Sequence, residues 1–303
     1  MSVAFSILGD WGTTRLRLFR QVDGVIVDRI DGLGIGALNI APADALRNAI
    51  APWCSQVQPQ HILLCGMAGA RSGLLEAPYA DCPADAASWA TQAVTLNIDD
   101  ISVGIAAGLA CTRSNGMPDV MRGEETQIFG VLRQYPALAS GRQILVLPGT
   151  HSKWVTIEHG RVLGLQTCLS GELFALLREY STLTRAGQDD GDDGDGFEHG
   201  LISARQHEGL VSSLFLARSA QLRAGRSRSW ALAFLSGLII GNEIEEMLAH
   251  ADKATPISLI GDSALTARYL QALAGCALSA DVFDGDTCAL AGLQSLKESM
   301  QWI

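Results

Sequence analysis

Two short turns rich in glycine and hydroxyl side chains are the places where this chain could bind phosphate. The first reads DWGTT at residues 10–14, and the second reads GTHSK at residues 149–153. Glycine lets a backbone approach an anion closely, and hydroxyl and backbone N–H groups donate to phosphate oxygens. We therefore expect both turns to hold phosphate, with positive character added by His151 and Lys153. The predicted phosphate contacts are Gly12, Thr13, Thr14, Gly149, Thr150, His151, Ser152 and Lys153.

The two turns occupy equivalent positions in two similar segments of the chain. Each follows a short apolar run, at residues 5–8 and 144–147, and each precedes two alternating runs joined by another tight turn. The second segment lies 137 residues after the first, counted from Gly12 to Gly149. This repeated strand–turn–strand–turn–strand pattern predicts two related lobes, whose turns we expect to face each other across a chain of phosphates.

Three acidic side chains near these motifs could serve a metal ion or a proton transfer. Asp10 ends an apolar run, where a metal–phosphate complex could sit. Glu124 and Glu125 follow a glycine at the start of a predicted helix, where a carboxylate could remove a proton from an attacking hydroxyl. Acidic residues in a first helical turn also complement the helix dipole, so the spacing alone leaves a catalytic role open. It also leaves open which of the three carboxylates is the general base.

Two further segments could contact small molecules. Arg71 and Ser72 end a small-residue stretch after a predicted buried strand, where a guanidinium could bind a carboxylate. For the arginine alone, an exposed loop residue is the slightly favoured interpretation. Gly261 and Asp262 lie in a strand–turn–helix element that could border a nucleoside. The chain has neither GxGxxG nor GxxxxGK[ST], so a Rossmann site and a P-loop are not supported.

The alternation of strands and helices predicts an α/β protein with two lobes. After each three-stranded meander, at residues 3–33 and 143–167, short apolar runs alternate with helical patterns. We expect each lobe to be a mixed five-stranded sheet flanked by helices, with limits of 1–138 and 139–303. The final helix could pack back on the first lobe. The acidic stretch 187–196 is expected to be a solvated loop, since it lacks the spacing of a calcium loop.

Composition excludes several classes of function. The chain has 303 residues, 48% of them hydrophobic, and a net charge of −10, so a nucleic-acid partner is not expected. Its seven cysteines are an odd number without CxxC spacing, which favours reduced thiols and a cytoplasmic location. The amino terminus does not resemble a signal peptide, and the longest apolar run is about half of a membrane span.

The motifs together resemble the 2-dehydro-3-deoxygalactonokinase family of the acetate and sugar kinase/Hsp70/actin superfamily. The resemblance spans most of the chain in order. It rests on DWGTTRLR (10–17), MAGARSGLLEAPYADCPA (67–84), PDVMRGEETQIFG (118–130), LPGTHSKWV (147–155), SGELFALL (170–177), FLSGLIIGNEI (234–244) and LIGDSALTARY (259–269). It implies a two-lobed actin-like ATPase (ribonuclease H-like) fold whose phosphate hairpins enclose Mg–ATP. The implied reaction is ATP-dependent phosphorylation of the 6-hydroxyl of 2-dehydro-3-deoxy-D-galactonate in galactonate catabolism.

The same resemblance implies roles for the candidate residues. Asp10 would hold Mg²⁺ through water, unless it is itself the base, and the substrate carboxylate would be bound by Arg71 or, as second candidate, Arg122. The alternatives are an exopolyphosphatase-like phosphohydrolase of the same fold and a non-catalytic sugar-sensing regulator. The acidic charge and the early first turn weigh against the regulator. The sequence leaves open the galacto or gluco preference and whether the chain forms a homo-oligomer.

Overall fold

The computed structural model describes residues 4–55, 57–185, 191, 193–249, 251–252 and 254–302. Its strands are β1 (Ser6–Trp11), β2 (Arg15–Val22), β3 (Val25–Leu33), β4 (His61–Gly66), β5 (Tyr79–Asp81), β6 (Val94–Ile98), β7 (Ile101–Ile105), β8 (Gly108–Thr112), β9 (Pro118–Met121), β10 (Arg142–Leu147), β11 (Ser152–Glu158), β12 (Arg161–Cys168), β13 (Ile257–Gly261) and β14 (Ala280–Asp284). Its α-helices are α1 (Pro42–Ile50), α2 (Ala86–Ala90), α3 (Glu124–Gln134), α4 (Ser170–Tyr180), α5 (Gly196–Arg205), α6 (Leu210–Ala224), α7 (Arg228–Leu248), α8 (Ser263–Ala274) and α9 (Gly285–Ser299). Much of the acidic stretch 187–196 lies outside the described residues, so the solvated loop stays a prediction.

The first sheet has the strand order β3-β2-β1-β4-β7-β6. The predicted meander is confirmed as the antiparallel strands β1, β2 and β3, and β1 pairs with β4 in parallel. Every residue of β1 and of β4 is buried. This matches the continuous apolar run of a strand that is covered on both faces. Because β1 and β4 are parallel, their carboxyl ends meet at one edge of the sheet.

The first sheet has one strand more than the predicted five. The additional strand is β6, which pairs antiparallel with β7 at the edge of the sheet. Its residues VTLNI alternate between more and less buried positions, as an edge strand requires. This strand was not predicted, although the alternation of its residues indicates a strand. A further three-stranded sheet, β5-β8-β9, was also not predicted.

The second sheet has the order β12-β11-β10-β13-β14, which agrees with the predicted five strands. In it β10 and β13 are parallel, with Ile144 opposite Ile257. Helix α1 ends at Ile50. Pro52 contributes to this end, because proline lacks the N–H that the next hydrogen bond of the helix would need.

Contacts between residues divide the chain into two compact units. Unit 1 comprises residues 1–143, 155–166 and 283–303, and unit 2 comprises residues 144–154 and 167–282. The lobe limits of 1–138 and 139–303 stay a prediction. All seven cysteines are described, and each is a free thiol. Among the described residues, no helix combines the length and apolar character that crossing a membrane requires.

Helices α3 and α9 pack closely within unit 1. A Cβ on Gly130 of α3 would lie 1.8 Å from the carbonyl oxygen of Cys288. A Cβ on Gly292 of α9 would lie 1.9 Å from the carbonyl oxygen of Thr126. Glycine at both positions lets the two backbones touch, which fixes the position of α3 against α9. The start of α3 carries the two glutamates that the sequence analysis singled out.

Candidate active site

Asp10 lies beside two glycines where β1 and β4 end. Asp10 is paired with Cys65, and Gly66 is the last residue of β4. A Cβ on Gly66, which has φ +75°, would lie 3.1 Å from Oδ1 of Asp10. A Cβ on Gly123, with φ +111°, would lie 3.2 Å from the Cα of Gly66. The backbone in front of α3 is therefore in contact with the end of β4, next to Asp10.

A chain of ion pairs surrounds the Asp10 carboxylate. Oδ2 of Asp10 accepts from the Arg17 guanidinium, which also donates to Asp286 at the start of α9. Arg29 approaches the other oxygen of Asp286 at 2.9 Å. Asp10 is 8% exposed, and burial raises its pKa while the charge of Arg17 opposes that shift. Arg17 thus compensates a nearly buried carboxylate, and this pairing was not predicted from the sequence.

The two adjacent glutamates of α3 occupy different environments. Both carboxylate oxygens of Glu125 accept from the N–H of Gly123, at 2.7 and 2.9 Å, and its side chain is fully buried. Burial raises the pKa of Glu125 to about 8, and the charge of Glu124 adds to this shift. Glu124 is half-buried, and its Oε2 accepts from the backbone N–H of Arg122 at 3.2 Å. Of the two, Glu124 is therefore the one with access to solvent.

Replacement of Glu125 should reveal the cost of burying its charge. Because the pKa of Glu125 is raised, the folded protein binds the proton of this carboxyl group more tightly than the unfolded chain does. The resulting stability is present below pH 4.5 and is lost as the pH rises through about 8. The loss of folding stability over this pH range amounts to roughly 5 kcal/mol.

Urea denaturation at pH 5, 7 and 9 should show a smaller loss of stability with rising pH in Glu125→Gln than in the unmodified protein. Glu76→Gln, at an exposed position, is the control, and parallel pH dependence in Glu125→Gln and the unmodified protein would contradict this assignment.

Arg71 and Arg122 differ in how tightly they are held. The side chain of Arg71 is 91% exposed, with Glu76 3.7 Å away, and the adjacent Ser72 is exposed. The guanidinium of Arg122 lies over the ring of Tyr79, 4.2 Å from its centre. Arg71 is thus open to a ligand, whereas Arg122 is fixed in place.

Arg122 nevertheless keeps hydrogen-bonding capacity. Its Nη2 donates to the carbonyl oxygen of Ala77 at 2.7 Å. Its Nε and Nη1 are buried without a hydrogen-bond partner. A Cβ on Gly69 would lie 2.8 Å from Nη1, so the guanidinium is packed tightly against this glycine. An anion could reach these two N–H groups only if the surrounding loop moved.

The first predicted phosphate turn is held by backbone hydrogen bonds, and its threonine side chains are exposed. The N–H of Gly12 donates to the carbonyl oxygen of Arg15 at 2.8 Å, and the N–H of Gly36 donates to that of Thr13 at 2.9 Å. The side chains of Thr13 and Thr14 are exposed. Both threonines are therefore available to a ligand.

The second predicted phosphate turn is attached to the start of α4. The N–H of Glu172 donates to the carbonyl oxygen of Thr150 at 2.9 Å, and the Glu172 carboxylate pairs with His151. A Cβ on Gly171 would lie 2.2 Å from the carbonyl oxygen of Gly149. In contrast, a Cβ on Gly149 itself would meet nothing within 4 Å. The turn is thus rigidly supported on one side and has open space on the other.

Two residues predicted as phosphate contacts point into unit 2. Ser152 is fully buried, with its Oγ 2.8 Å from the hydroxyl of Tyr269. Lys153 is 5% exposed, and its Nζ donates to Oγ1 of Thr167 at 2.9 Å. Their binding of phosphate stays a prediction, and the structure places them in the support of the turn.

The predicted nucleoside turn adjoins the second phosphate turn within unit 2. The parallel pairing of β10 and β13 brings their carboxyl ends together, and a Cβ on Gly261 would lie 3.6 Å from the carbonyl oxygen of Pro148. Asp262 caps α8, accepting from the N–H groups of Ala264 and Leu265 at 3.0 and 3.4 Å. Asp262 therefore has a structural role in addition to its predicted place beside a nucleoside.

The segments that carry these residues match a known family over nearly the whole chain. A family model described as 2-keto-3-deoxy-galactonokinase matches residues 10–296. The chain belongs to this family. An Escherichia coli (strain K12) protein named 2-dehydro-3-deoxygalactonokinase is 30% identical over 96% of this chain and 97% of its own length. A Rhizobium meliloti (strain 1021) protein, provisionally given the same name, is 34% identical over 94% of each chain.

One solved structure supports the same assignment, and a second shares only the fold. A Sinorhizobium meliloti protein, provisionally described as a 2-dehydro-3-deoxygalactonokinase, matches with a TM-score of 0.88 at 32% identity, over 98% of this chain and 97% of its own. The Acidaminococcus fermentans (R)-2-hydroxyglutaryl-CoA dehydratase component A matches at 0.52 with 13% identity, over 98% and 99% of the two chains, and shares the fold alone. The family and the actin-like α/β fold expected from the motifs are confirmed.

Proposed function

We propose that the protein transfers the γ-phosphoryl group of ATP to the 6-hydroxyl of 2-dehydro-3-deoxy-D-galactonate. The observation that carries this proposal is the family match over residues 10–296, which contains every candidate site segment. The name of the Escherichia coli relative supports the same substrate. Neither the phosphohydrolase nor the sugar-sensing regulator gains support from these comparisons.

The carboxylate of Asp10 fits the Mg²⁺ ion that accompanies ATP. Among the residues described, no three histidine, cysteine or acidic side chains form a metal cage. Mg²⁺ commonly keeps several waters and binds through one or two carboxylates together with substrate phosphates. A single carboxylate whose Oδ1 lies beside glycine backbone therefore suits an ion that arrives with the nucleotide. Asp10 would orient that ion through water.

The two turns would bind the phosphates of ATP. Thr13 and Thr14 present exposed hydroxyls, and Gly149 borders open space into which an anion could fit. Gly261 and Asp262 would lie beside the nucleoside, because the end of β13 adjoins the second turn. That the two turns face each other across one nucleotide stays a prediction.

Glu124 is our choice for the general base. A base must reach the substrate hydroxyl, and Glu124 has solvent access that the fully buried Glu125 lacks. Glu124 would accept the proton of the substrate's 6-hydroxyl. The oxygen of that hydroxyl would form a bond to the γ-phosphorus of ATP, while the bond between the γ-phosphorus and the β,γ-bridging oxygen breaks. Glu125 would hold the Gly123 backbone in place, and Asp10 is the alternative base.

Replacement of Arg71 should affect the sugar acid more than ATP. Because Arg71 is 91% exposed, it can bind a carboxylate at little cost in lost protein contacts. Arg71→Ala is expected to raise KM for the sugar acid about tenfold, with KM for ATP changed less than about twofold. Steady-state kinetics with each substrate varied would measure this. Arg113→Ala, in another loop, is the control, and equal rises in both KM values for Arg71→Ala would contradict the assignment.

The activity itself is tested by coupled measurement of ADP release. Each 2-dehydro-3-deoxy sugar acid is added in turn, with and without Mg²⁺. We expect ADP release to require both the galactonate derivative and Mg²⁺. Fast ADP release with ATP alone would indicate a phosphohydrolase, and ligand binding without ATP consumption would indicate a regulator.

A further inference from the structure

A buried hydrogen-bond network lies beneath the second phosphate turn. The indole Nε1 of Trp154 donates to Oε1 of Glu243 at 2.7 Å, and the hydroxyl of Tyr269 donates to Oε2 at 2.8 Å. The Tyr269 hydroxyl is also 2.8 Å from Oγ of Ser152. Glu243, Tyr269 and Ser152 are 4%, 2% and 0% exposed. No residue of this network except Ser152 was singled out by the sequence analysis.

The network joins four elements of secondary structure. Ser152 lies within the turn, where β11 begins, and Tyr269 lies on α8, which begins after the predicted nucleoside turn. Glu243 lies in the second half of α7. The Ser170 hydroxyl, at the start of α4, also bonds to Glu243. One carboxylate therefore connects the turn, the helix that supports it and the helix beside the nucleoside position.

Burying a carboxylate in a protein core costs free energy, because its charge loses contact with water. Burial raises the pKa of Glu243, and hydrogen bonds from serine, tryptophan and tyrosine oppose the shift. Well-packed apolar side chains of similar volume often stabilise a protein as well or better. What the hydrogen bonds add is a fixed direction for each partner, because each donor must point at one oxygen. That precision would matter where a backbone must fit a ligand.

We propose that Glu243 and Tyr269 are positioning residues that hold the second phosphate turn in the shape that binds ATP. The inference rests on the proposed function, since it takes the turn at residues 149–153 to bind phosphate. The hydroxyl of Tyr269 contacts both Glu243 and Ser152, and Ser152 also bonds to Glu243. Together these bonds would fix the end of the turn that Ser152 forms. Loss of this link should weaken nucleotide binding and leave the sugar-acid site in unit 1 unaffected.

The decisive variant is Tyr269→Phe, which removes one hydroxyl and keeps the ring. We expect its KM for ATP to rise about tenfold, and its KM for the sugar acid to change less than about twofold. Calorimetric titration with a non-hydrolysable ATP analogue should show the same weakening without any sugar acid. Glu243→Gln should act in the same direction, and Glu246→Gln, an exposed position of the same helix, is the matched control.

Three outcomes separate this inference from its alternatives. A lower unfolding midpoint with unchanged ATP binding would show that the network only stabilises the core, and would overturn the proposal. Equal rises in both KM values would also overturn it. If the unmodified protein binds the analogue but does not phosphorylate the sugar acid, the proposed substrate is wrong. The calorimetric comparison of Tyr269→Phe with the unmodified protein still decides the role of the network.

Discussion

Asp10→Asn is expected to lower kcat by roughly 10³-fold or more while the protein keeps its fold. The substitution removes the charge that would orient the metal–phosphate complex, but it preserves the shape of the side chain. The amide oxygen that replaces the carboxylate can still accept from Arg17, so the chain of contacts to Asp286 loses charge but not its geometry. ADP release under saturating ATP and sugar acid measures the effect.

Circular dichroism and urea denaturation must accompany that assay. If the Asp10→Asn protein is folded and keeps nearly full activity, the role assigned to Asp10 is contradicted. The control is Asp44→Asn on the exposed side of α1, where Asp44 pairs with Arg47 of the same helix. This change should leave kcat within about twofold, because exposed surface ion pairs contribute little.

Glu124→Gln is expected to lower kcat by about 10²- to 10⁴-fold with little change in either KM, as for the loss of a general base. Glutamine keeps the acceptor that bonds to the Arg122 N–H but cannot take a proton. Pre-steady-state measurement of phosphoryl transfer would separate the chemical step from product release.

The companion variant Glu125→Gln decides between the two glutamates. If Glu125 only holds the Gly123 backbone, its amide should retain at least about a tenth of the activity, since one oxygen can still accept the N–H. A reversed result, with Glu124→Gln active and Glu125→Gln inactive, would make the buried carboxyl the base. Its pKa of about 8 would then appear as a rise of kcat/KM with pH, because only the ionised form accepts a proton.

Sequence patterns predicted the elements well where one periodicity dominated. The continuous apolar runs became the buried strands β1 and β4, and the meander with its two turns became β1–β3. Strand β6 was missed because only its last residue is fully buried and because it follows a short helix. A short alternating edge strand carries a weaker signal than a buried one.

The site was predictable in its parts but not in its connections. Asp10, Gly123 and the two glutamates stand in recognisable motifs. The parallel order of β1 and β4 explains why Asp10 lies beside Gly66, against which Gly123 packs. Arg17 and Asp286 are 269 positions apart in the sequence, and no local sequence pattern predicts a contact between them. Likewise, sequence gives neither the depth of Glu125 nor the inward direction of Lys153, because burial depends on tertiary packing.

The most direct test of the proposed activity follows the phosphoryl group itself. The protein is incubated with γ-labelled ATP, Mg²⁺ and 2-dehydro-3-deoxy-D-galactonate, and the labelled product is identified by chromatography and NMR. The proposal predicts that label moves from ATP to the 6-oxygen of the sugar acid in equal amount to the ADP formed. Label recovered as inorganic phosphate, at a rate independent of the sugar acid, would contradict it.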